Sequence, residues 1–140
     1  MNDKYFLDTN IFVYSFDARS PEKQKKAQKL IDEALNTRYG CISTQVVQEF
    51  LNVATRKFKE PLSIQDSQHY LTTVLEPLCE IFTSIELYHR TLELAERWQY
   101  SFYDSLIIAA ALKADCKILY TEDMQDGQMI QELKIVNPFV

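Results

Sequence analysis

Four acidic residues stand where a folded chain could use them together. Asp8 ends the apolar run Tyr5-Phe6-Leu7, and Asp123 lies three residues beyond the segment Cys116 to Tyr120. Glu49 falls in Val46-Val47-Gln48-Glu49-Phe50, one turn into a stretch with helical spacing, and Asp104 precedes an apolar run from Leu106 to Leu112. Each acid taken alone has a structural reading. Asp8, like Thr9 or Asn10, can cap a helix that begins near Ile11. Ser101-Phe102-Tyr103-Asp104 has the Ser-x-x-acid form of a capping box. Glu49 lies about 40° from Val53 on a helical wheel, at the edge of the apolar arc. Asp123 belongs to Thr121-Glu122-Asp123-Met124-Gln125-Asp126-Gly127, where turn residues are common. Taken together they predict something else. Four caps need not converge, yet these four are expected at one edge of one sheet, where clustered carboxylates repel each other. Unless some stay protonated, such a cluster asks for a divalent cation. Oxygen donors without Cys or His favour Mg²⁺ or Mn²⁺, as one or two ions, over Zn²⁺. The chemistry that suits them is metal-assisted hydrolysis of a phosphodiester, with water attacking in line.

The elements that must position these acids follow from hydrophobic periodicity. Tyr5-Phe6-Leu7 reads as a buried strand, and Ile11-Phe12-Val13-Tyr14 as the helix after it. Pro21 to Asn36 is an amphipathic helix with Ala27, Leu30, Ile31, Ala34 and Leu35 opposite a lysine face. Cys41-Ile42-Ser43 is a strand, and Thr44 or Gln45 opens the Glu49 helix. A helix over Ile64 to Leu75 takes Ser63 as N-cap. Glu80-Ile81-Phe82 is a further strand. Ile85 to Trp98 is a helix whose apolar face follows Ile85, Tyr88, Leu92 and Ala95. Tyr103 to Ala114 is a helix apolar nearly all round and therefore buried. Cys116 to Tyr120 and Ile135-Val136 are the last strands, and the four prolines fall between periodic segments. Strands alternating with helices predict an α/β chain with a parallel sheet covered on both faces. In such sheets, sites form beyond the carboxyl ends of the strands.

Composition removes several alternatives. The 140 residues carry 20 Asp and Glu against 15 Lys and Arg, a net charge of −5, so bulk electrostatic wrapping of nucleic acid is excluded. The length suits one domain, residues 1–140. Only Gly40 and Gly127 are glycines, so neither glycine-rich phosphate loop can form. Cys41, Cys79 and Cys116 are isolated, as expected of small apolar residues in a reducing cytosol. His69 and His89 lie too far apart for a zinc helix and read as surface residues. Met1 to Asn10 carries Asp3, Lys4 and Asp8, and no apolar leader follows. No apolar run approaches the ~20 residues of a membrane span. A soluble, cytoplasmic protein is expected.

The order of motifs resembles the PIN-domain nucleases, and the compact length resembles their VapC-type toxins. The resemblance is carried by Phe6-Leu7-Asp8-Thr9-Asn10, by Glu49 in its helix, by Tyr103-Asp104 before the apolar helix, and by Thr121-Glu122-Asp123. It implies a three-layer α/β/α fold with a central parallel sheet of order 3-2-1-4-5, placing Asp8 and Asp123 on adjacent strands. It implies Mg²⁺- or Mn²⁺-dependent endoribonuclease activity, with Asp8, Glu49, Asp104 and Asp123 as metal-binding acids and Thr9, Asn10 and Thr121 as supporting polar residues. A homodimer silenced by a cognate antitoxin protein is implied as well. Around the fourth acid, Glu122 and Asp126 are further candidates, and Asp126 before Gly127 also reads as a turn residue. A dehalogenase-like phosphatase would need an Asp two residues after Asp8, where Asn10 stands. A catalytically silent module that binds RNA or protein is the other class to separate.

Positive surface for RNA is expected from Arg19, Lys23, Lys25, Lys26 and Lys29, or from Arg56, Lys57 and Lys59. Both groups also read as solvated or dipole-compensating helix residues. Tyr39, Tyr100, Phe102 and Tyr103 are candidates for base stacking, Tyr103 first among them because it adjoins Asp104.

Overall fold

Tyr5-Phe6-Leu7 carries bulky side chains on both faces, so the strand they form must be covered on both sides. In the computed structural model, which describes residues 3–140, that strand (β1, Tyr5–Leu7) lies inside a six-stranded sheet and is fully buried. It pairs in parallel with β2 (Gly40–Ser43) on one side and β4 (Ile118–Tyr120) on the other. Outward from these, β3 (Cys79–Ile81) joins β2 and β6 (Leu133–Val136) joins β4, again in parallel. The expected order of five parallel strands is therefore present. A further strand, β5 (Met129–Ile130), hairpins onto β6 in antiparallel sense at the edge. Two residues are too few to show the alternation by which a strand is read.

Two groups of helices cover the sheet. The first contains α1 (Thr9–Tyr14), α2 (Pro21–Thr37) and α3 (Thr44–Arg56), joined by α4 (Ile64–Tyr70) and the single turn α5 (Glu76–Leu78). The second is the tightly packed pair α6 (Ile85–Trp98) and α7 (Phe102–Lys113). Ser105 to Ala111 of α7 is buried throughout, as its all-round apolar sequence requires. Gly40 permits the close approach of α2 to the sheet, because a Cβ there would collide with the Ala34 methyl and the Tyr5 ring. Cys41 and Cys116 are buried free thiols with sulfurs 3.5 Å apart, and Cys79 is half-buried. His69 and His89 are exposed. Among the described residues no helix is long and apolar enough to cross a membrane. The absence of a leader was read partly from Met1 and Asn2, which lie outside the described residues.

Three expectations need correction. The core-facing stripe of α6 is Leu87, Thr91 and Leu94, whereas Ile85, Tyr88 and Leu92 are exposed. The helix carries two overlapping stripes at helical spacing, and periodicity does not say which one meets the core. The strand expected at Glu80-Ile81-Phe82 is shifted by one, leaving Phe82 66% exposed. Pro77 does not separate elements but sits in α5, which continues from α4 through a π-turn over Leu71–Leu75. Proline lacks an N–H and crowds the preceding turn of a helix, and a widened turn is one way to absorb it.

Candidate active site

Parallel pairing brings the first and last acidic motifs together. Leu7 registers with Tyr120, and the Asp8 backbone N–H donates to the Tyr120 carbonyl at 3.0 Å. Asp8 and Thr121 thus leave adjacent strands side by side, where the chain order of the sheet reverses and crevices form. The Thr121 hydroxyl donates to Asp8 Oδ2 at 2.8 Å, and the Thr9 N–H donates to Oδ1 at 2.7 Å. Asp8 is therefore the N-cap of α1 as well as a member of the cluster. Its role as a cap does not remove it from the cluster.

The other acids are tied to the same point by short polar links. Thr9 Oγ1 donates to Glu49 Oε1 at 2.7 Å, spanning α1 and α3. Asn10 Nδ2 donates to Asp123 Oδ2 at 3.0 Å and approaches Thr121 Oγ1 at 3.4 Å. The Asp123 N–H donates to Thr121 Oγ1 at 3.1 Å, which fixes the loop after β4. Asp104 stands in the first turn of α7, and its N–H donates to the Ser101 hydroxyl at 3.2 Å, as the capping motif predicts. Gln45, not singled out from sequence, donates to Glu49 Oε2 at 3.2 Å and to the Tyr103 carbonyl at 3.1 Å. Its spacing of four residues from Glu49 on one helix was the available signal.

Electrostatics show that the four acids share one field. Burial pushes the Asp8 carboxyl up to about 7; the Thr121 and Thr9 hydrogen bonds oppose this, and the charges of Asp123 and Glu49 add to it. Asp104 is raised first by burial, then by the charge of Asp123, with Glu49 contributing and Ser101 opposing. Among the described residues, no Lys or Arg forms an ion pair with any of the four. Every side-chain donor that reaches Asp8, Glu49 or Asp123 is neutral: Thr9, Asn10, Gln45 and Thr121. Two amide oxygens of the same cluster, Asn10 Oδ1 and Gln45 Oε1, are buried without a partner among the described residues. This all-oxygen set with unspent negative charge fits a hard divalent cation. Among the described residues, no three acids, cysteines or histidines are drawn together closely enough to ligate an ion directly as they stand. The acids are joined by hydrogen bonds and by their mutual charges without closing on a point.

The remaining candidates have other partners. Glu122 accepts from the Tyr14 hydroxyl at 2.6 Å and from Lys23 Nζ at 2.8 Å. Burial would raise its carboxyl, but Lys23 and Tyr14 outweigh that and hold it below the usual range. Asp126 accepts from the Asn137 N–H at 2.7 Å, the role of a turn residue. Tyr100 braces the loop after β4, its hydroxyl accepting from the Gln125 N–H at 3.1 Å. Tyr39 lies at the opposite end of the strands, where its carbonyl accepts from the Tyr5 N–H. Tyr103 is 65% exposed beside Asp104. Lys25, Lys26 and Lys29 are exposed on α2, while Arg19 pairs with Asp17. A cleft of about 510 Å³, lined in part by Phe16, Ile31, Tyr70 and Val74, lies elsewhere and contains none of the four acids.

Comparison with known proteins bears on the fold and the family. No curated protein matches the chain. Among solved structures, a toxin–antitoxin complex from Klebsiella pneumoniae superposes with a TM-score of 0.69 at 19% identity, covering 96% of this chain and 98% of that one. VapC20 of Mycobacterium tuberculosis, a sarcin–ricin loop cleaving toxin, gives a TM-score of 0.61 at 20% identity over 86% of this chain and 90% of that one. VapBC2 of Rickettsia felis, bound to a fragment of promoter DNA, gives 0.58 at 21% identity over 94% and 96%. At these identities the likeness concerns the fold. The PIN domain family model matches residues 5–125, a span that runs from β1 through Asp8, Glu49 and Asp104 to Asp123, and the chain belongs to the PIN domain family.

Proposed function

We propose that this protein is a metal-dependent endoribonuclease acting as the toxin of a type II toxin–antitoxin pair in the cytoplasm. The observation that carries the reading is a cluster of four acids, three of them held by neutral side-chain donors, with which no cation pairs among the described residues. Asp8, Glu49, Asp104 and Asp123 would hold Mg²⁺ or Mn²⁺, as one or two ions. Mg²⁺ keeps several of its own waters, which suits acids that do not close on a point. When bound, the metal supplies Lewis-acid activation of the scissile phosphate and of the attacking water.

The chain's own groups do the rest. Thr121 and the Thr9 N–H fix both oxygens of Asp8 and leave its charge available. Thr9 and Asn10 orient Glu49 and Asp123 from the start of α1. Tyr103 presents an exposed ring beside Asp104 for a neighbouring base. The exposed lysines of α2 offer phosphate contacts near Lys23, which already reaches the loop after β4 through Glu122.

The toxin reading includes two partners. An antitoxin protein is supported by the fold shared with toxin–antitoxin complexes. A homodimer is supported by the exposed apolar residues Phe82, Ile85, Tyr88, Leu92 and Phe102, which leave one face of α6 without cover. Light scattering on the purified protein should then give twice the chain mass.

The decisive experiment incubates purified protein with RNA and Mg²⁺ or Mn²⁺, with and without chelator. Cleavage that stops on chelation is expected, and cutting that persists in chelator would sink the metal mechanism. RNA that is bound but left intact with both metals would identify a silent binding module instead.

A further inference from the structure

Gln45 lies one turn before Glu49 on α3, and that spacing puts both side chains on one face. It is 5% exposed, a polar residue within a buried arc. Its amide nitrogen serves two acceptors, Glu49 Oε2 at 3.2 Å and the Tyr103 carbonyl at 3.1 Å. A primary amide has two N–H bonds, and both are used. Tyr103 immediately precedes Asp104, so one side chain joins the helix that carries Glu49 to the first turn of the helix that carries Asp104.

The orientation of the amide is dictated by what surrounds it. Turned over, its oxygen would face a carboxylate and a carbonyl, so the nitrogen must point there. The oxygen is then left buried with no partner among the described residues, an arrangement that buried polar groups ordinarily avoid. A methionine would fill much the same volume without burying an unpartnered amide oxygen, but would take the donor from Glu49 Oε2 and the Tyr103 carbonyl, so the choice lies in those two bonds and not in packing. Lysine would reach Glu49 as well, but would spend its charge. Only an amide offers two neutral donors aimed at two different helices.

We propose that Gln45 is a positioning residue that sets the span between Glu49 and Asp104 for a divalent cation while leaving the negative charge of the cluster intact. The inference rests on the metal-dependent reading above. Gln45 acts through Glu49 and the start of α7, and touches neither cation nor RNA.

The test is calorimetric titration of the metal-free, full-length protein with Mn²⁺, accompanied by its melting temperature, for wild type, Gln45→Met and Gln45→Lys. Gln45→Met should weaken Mn²⁺ binding by about 10- to 100-fold in protein that is still fully folded, the usual effect of losing a group that orients a metal ligand. A purely structural role would instead lower the melting temperature and leave the affinity of the folded protein unchanged, which would overturn the proposal. Gln45→Lys should melt higher than wild type without metal, because it pairs with Glu49, and bind Mn²⁺ least of the three. Should Gln45→Met fail to fold, Gln45→Lys decides: binding equal to wild type overturns the proposal. Wild type that neither binds Mn²⁺ nor cuts RNA removes the nuclease reading and this inference with it. Wild type that does both, with two variants equal to it, removes the role of Gln45 alone.

Discussion

Glu122 and Asp123 are neighbours in the chain, yet their carboxylates are held in opposite ways. Glu122 meets a cation, Lys23 Nζ at 2.8 Å, with the Tyr14 hydroxyl as a second donor. Asp123 meets the neutral amide of Asn10 at 3.0 Å, and its charge adds to that of Asp8 and Asp104. One acid is neutralised on the spot; the other contributes to a shared deficit of positive charge. The comparison extends across the molecule. Asp17, Glu80 and Glu132 each face an arginine or lysine, whereas Asp8, Glu49, Asp104 and Asp123 face none among the described residues. Setting these four aside leaves 16 acids against 15 bases, so four acids at this site match in number most of the excess negative charge of the chain. The two arrangements differ in purpose. A paired acid such as Glu122 is an internal joint, while acids that share one field with no cation among the described residues keep their charge for something that arrives from outside.

The largest way to break the contrast is to remove one unpaired acid. Asp8→Asn and Asp104→Asn should each lower RNA cleavage by at least about a thousandfold while the fold persists, since members of a site that act as a unit are not additive. Single-turnover assays with circular dichroism would check this, and full rate in either variant would reduce that residue to a helix cap. A second effect concerns stability and has a definite sign. The Asp8 carboxyl titrates at about 7 in the folded chain and at its ordinary 3.8 when unfolded. Between those values the folded state binds more protons, so the metal-free protein loses stability as the pH rises through that window. The loss at neutral pH is at most ~4 kcal/mol. Asp8→Asn should therefore raise the metal-free melting temperature by several degrees at pH 7.5 and leave it nearly unchanged at pH 4. Saturating Mn²⁺ should abolish the difference. Thr121→Val comes next in size. It strips the hydroxyl from Asp8 Oδ2 and from the Asp123 N–H, and should cost about 1–3 kcal/mol in melting or denaturant experiments.

Much of this contrast lay open in the sequence, and the part that did not has a physical cause. β1 and the apolar α7 follow from local patterns, because runs of apolar residues declare a doubly covered sheet and a buried helix, whereas the order of the five parallel strands followed only from the resemblance to the PIN-domain nucleases. The four acids stood out because strand ends and helix starts are where sites form. What stayed hidden depends on distant partners. Lys23 is 99 positions from Glu122, so nothing near Thr121-Glu122-Asp123 reveals which of its acids is neutralised. Gln45 finds Tyr103 across 58 positions. The buried face of α6 is hidden for a related reason. Ile85, Tyr88 and Leu92 form a genuine stripe, but burial of a stripe is decided by neighbouring elements, and here, with α7 packed on α6, the buried residues are Leu87, Thr91 and Leu94.

The smallest predicted effect sharpens the comparison most. Glu122→Gln removes a carboxylate one residue from Asp123, so proximity alone would predict damage to cleavage. The Lys23–Glu122 pair has side chains 39% and 27% exposed. Exposed ion pairs typically contribute 0–1 kcal/mol, and Gln retains an oxygen for the Tyr14 hydroxyl. Glu122→Gln should accordingly change stability by no more than about 1 kcal/mol and leave the cleavage rate at saturating metal close to that of wild type. It also frees Lys23, which could then add to phosphate attraction at low salt and lose that advantage at high salt, where exposed charges are screened. Steady-state cleavage across a salt series reads both consequences at once. A rate loss comparable to that of Asp8→Asn would place Glu122 with the unpaired acids and erase the distinction between a joint and a ligand. An unchanged rate beside an inactive Asp8→Asn would show that membership of the shared, uncompensated field, and not position in the Thr121–Gly127 loop, marks the acids that work.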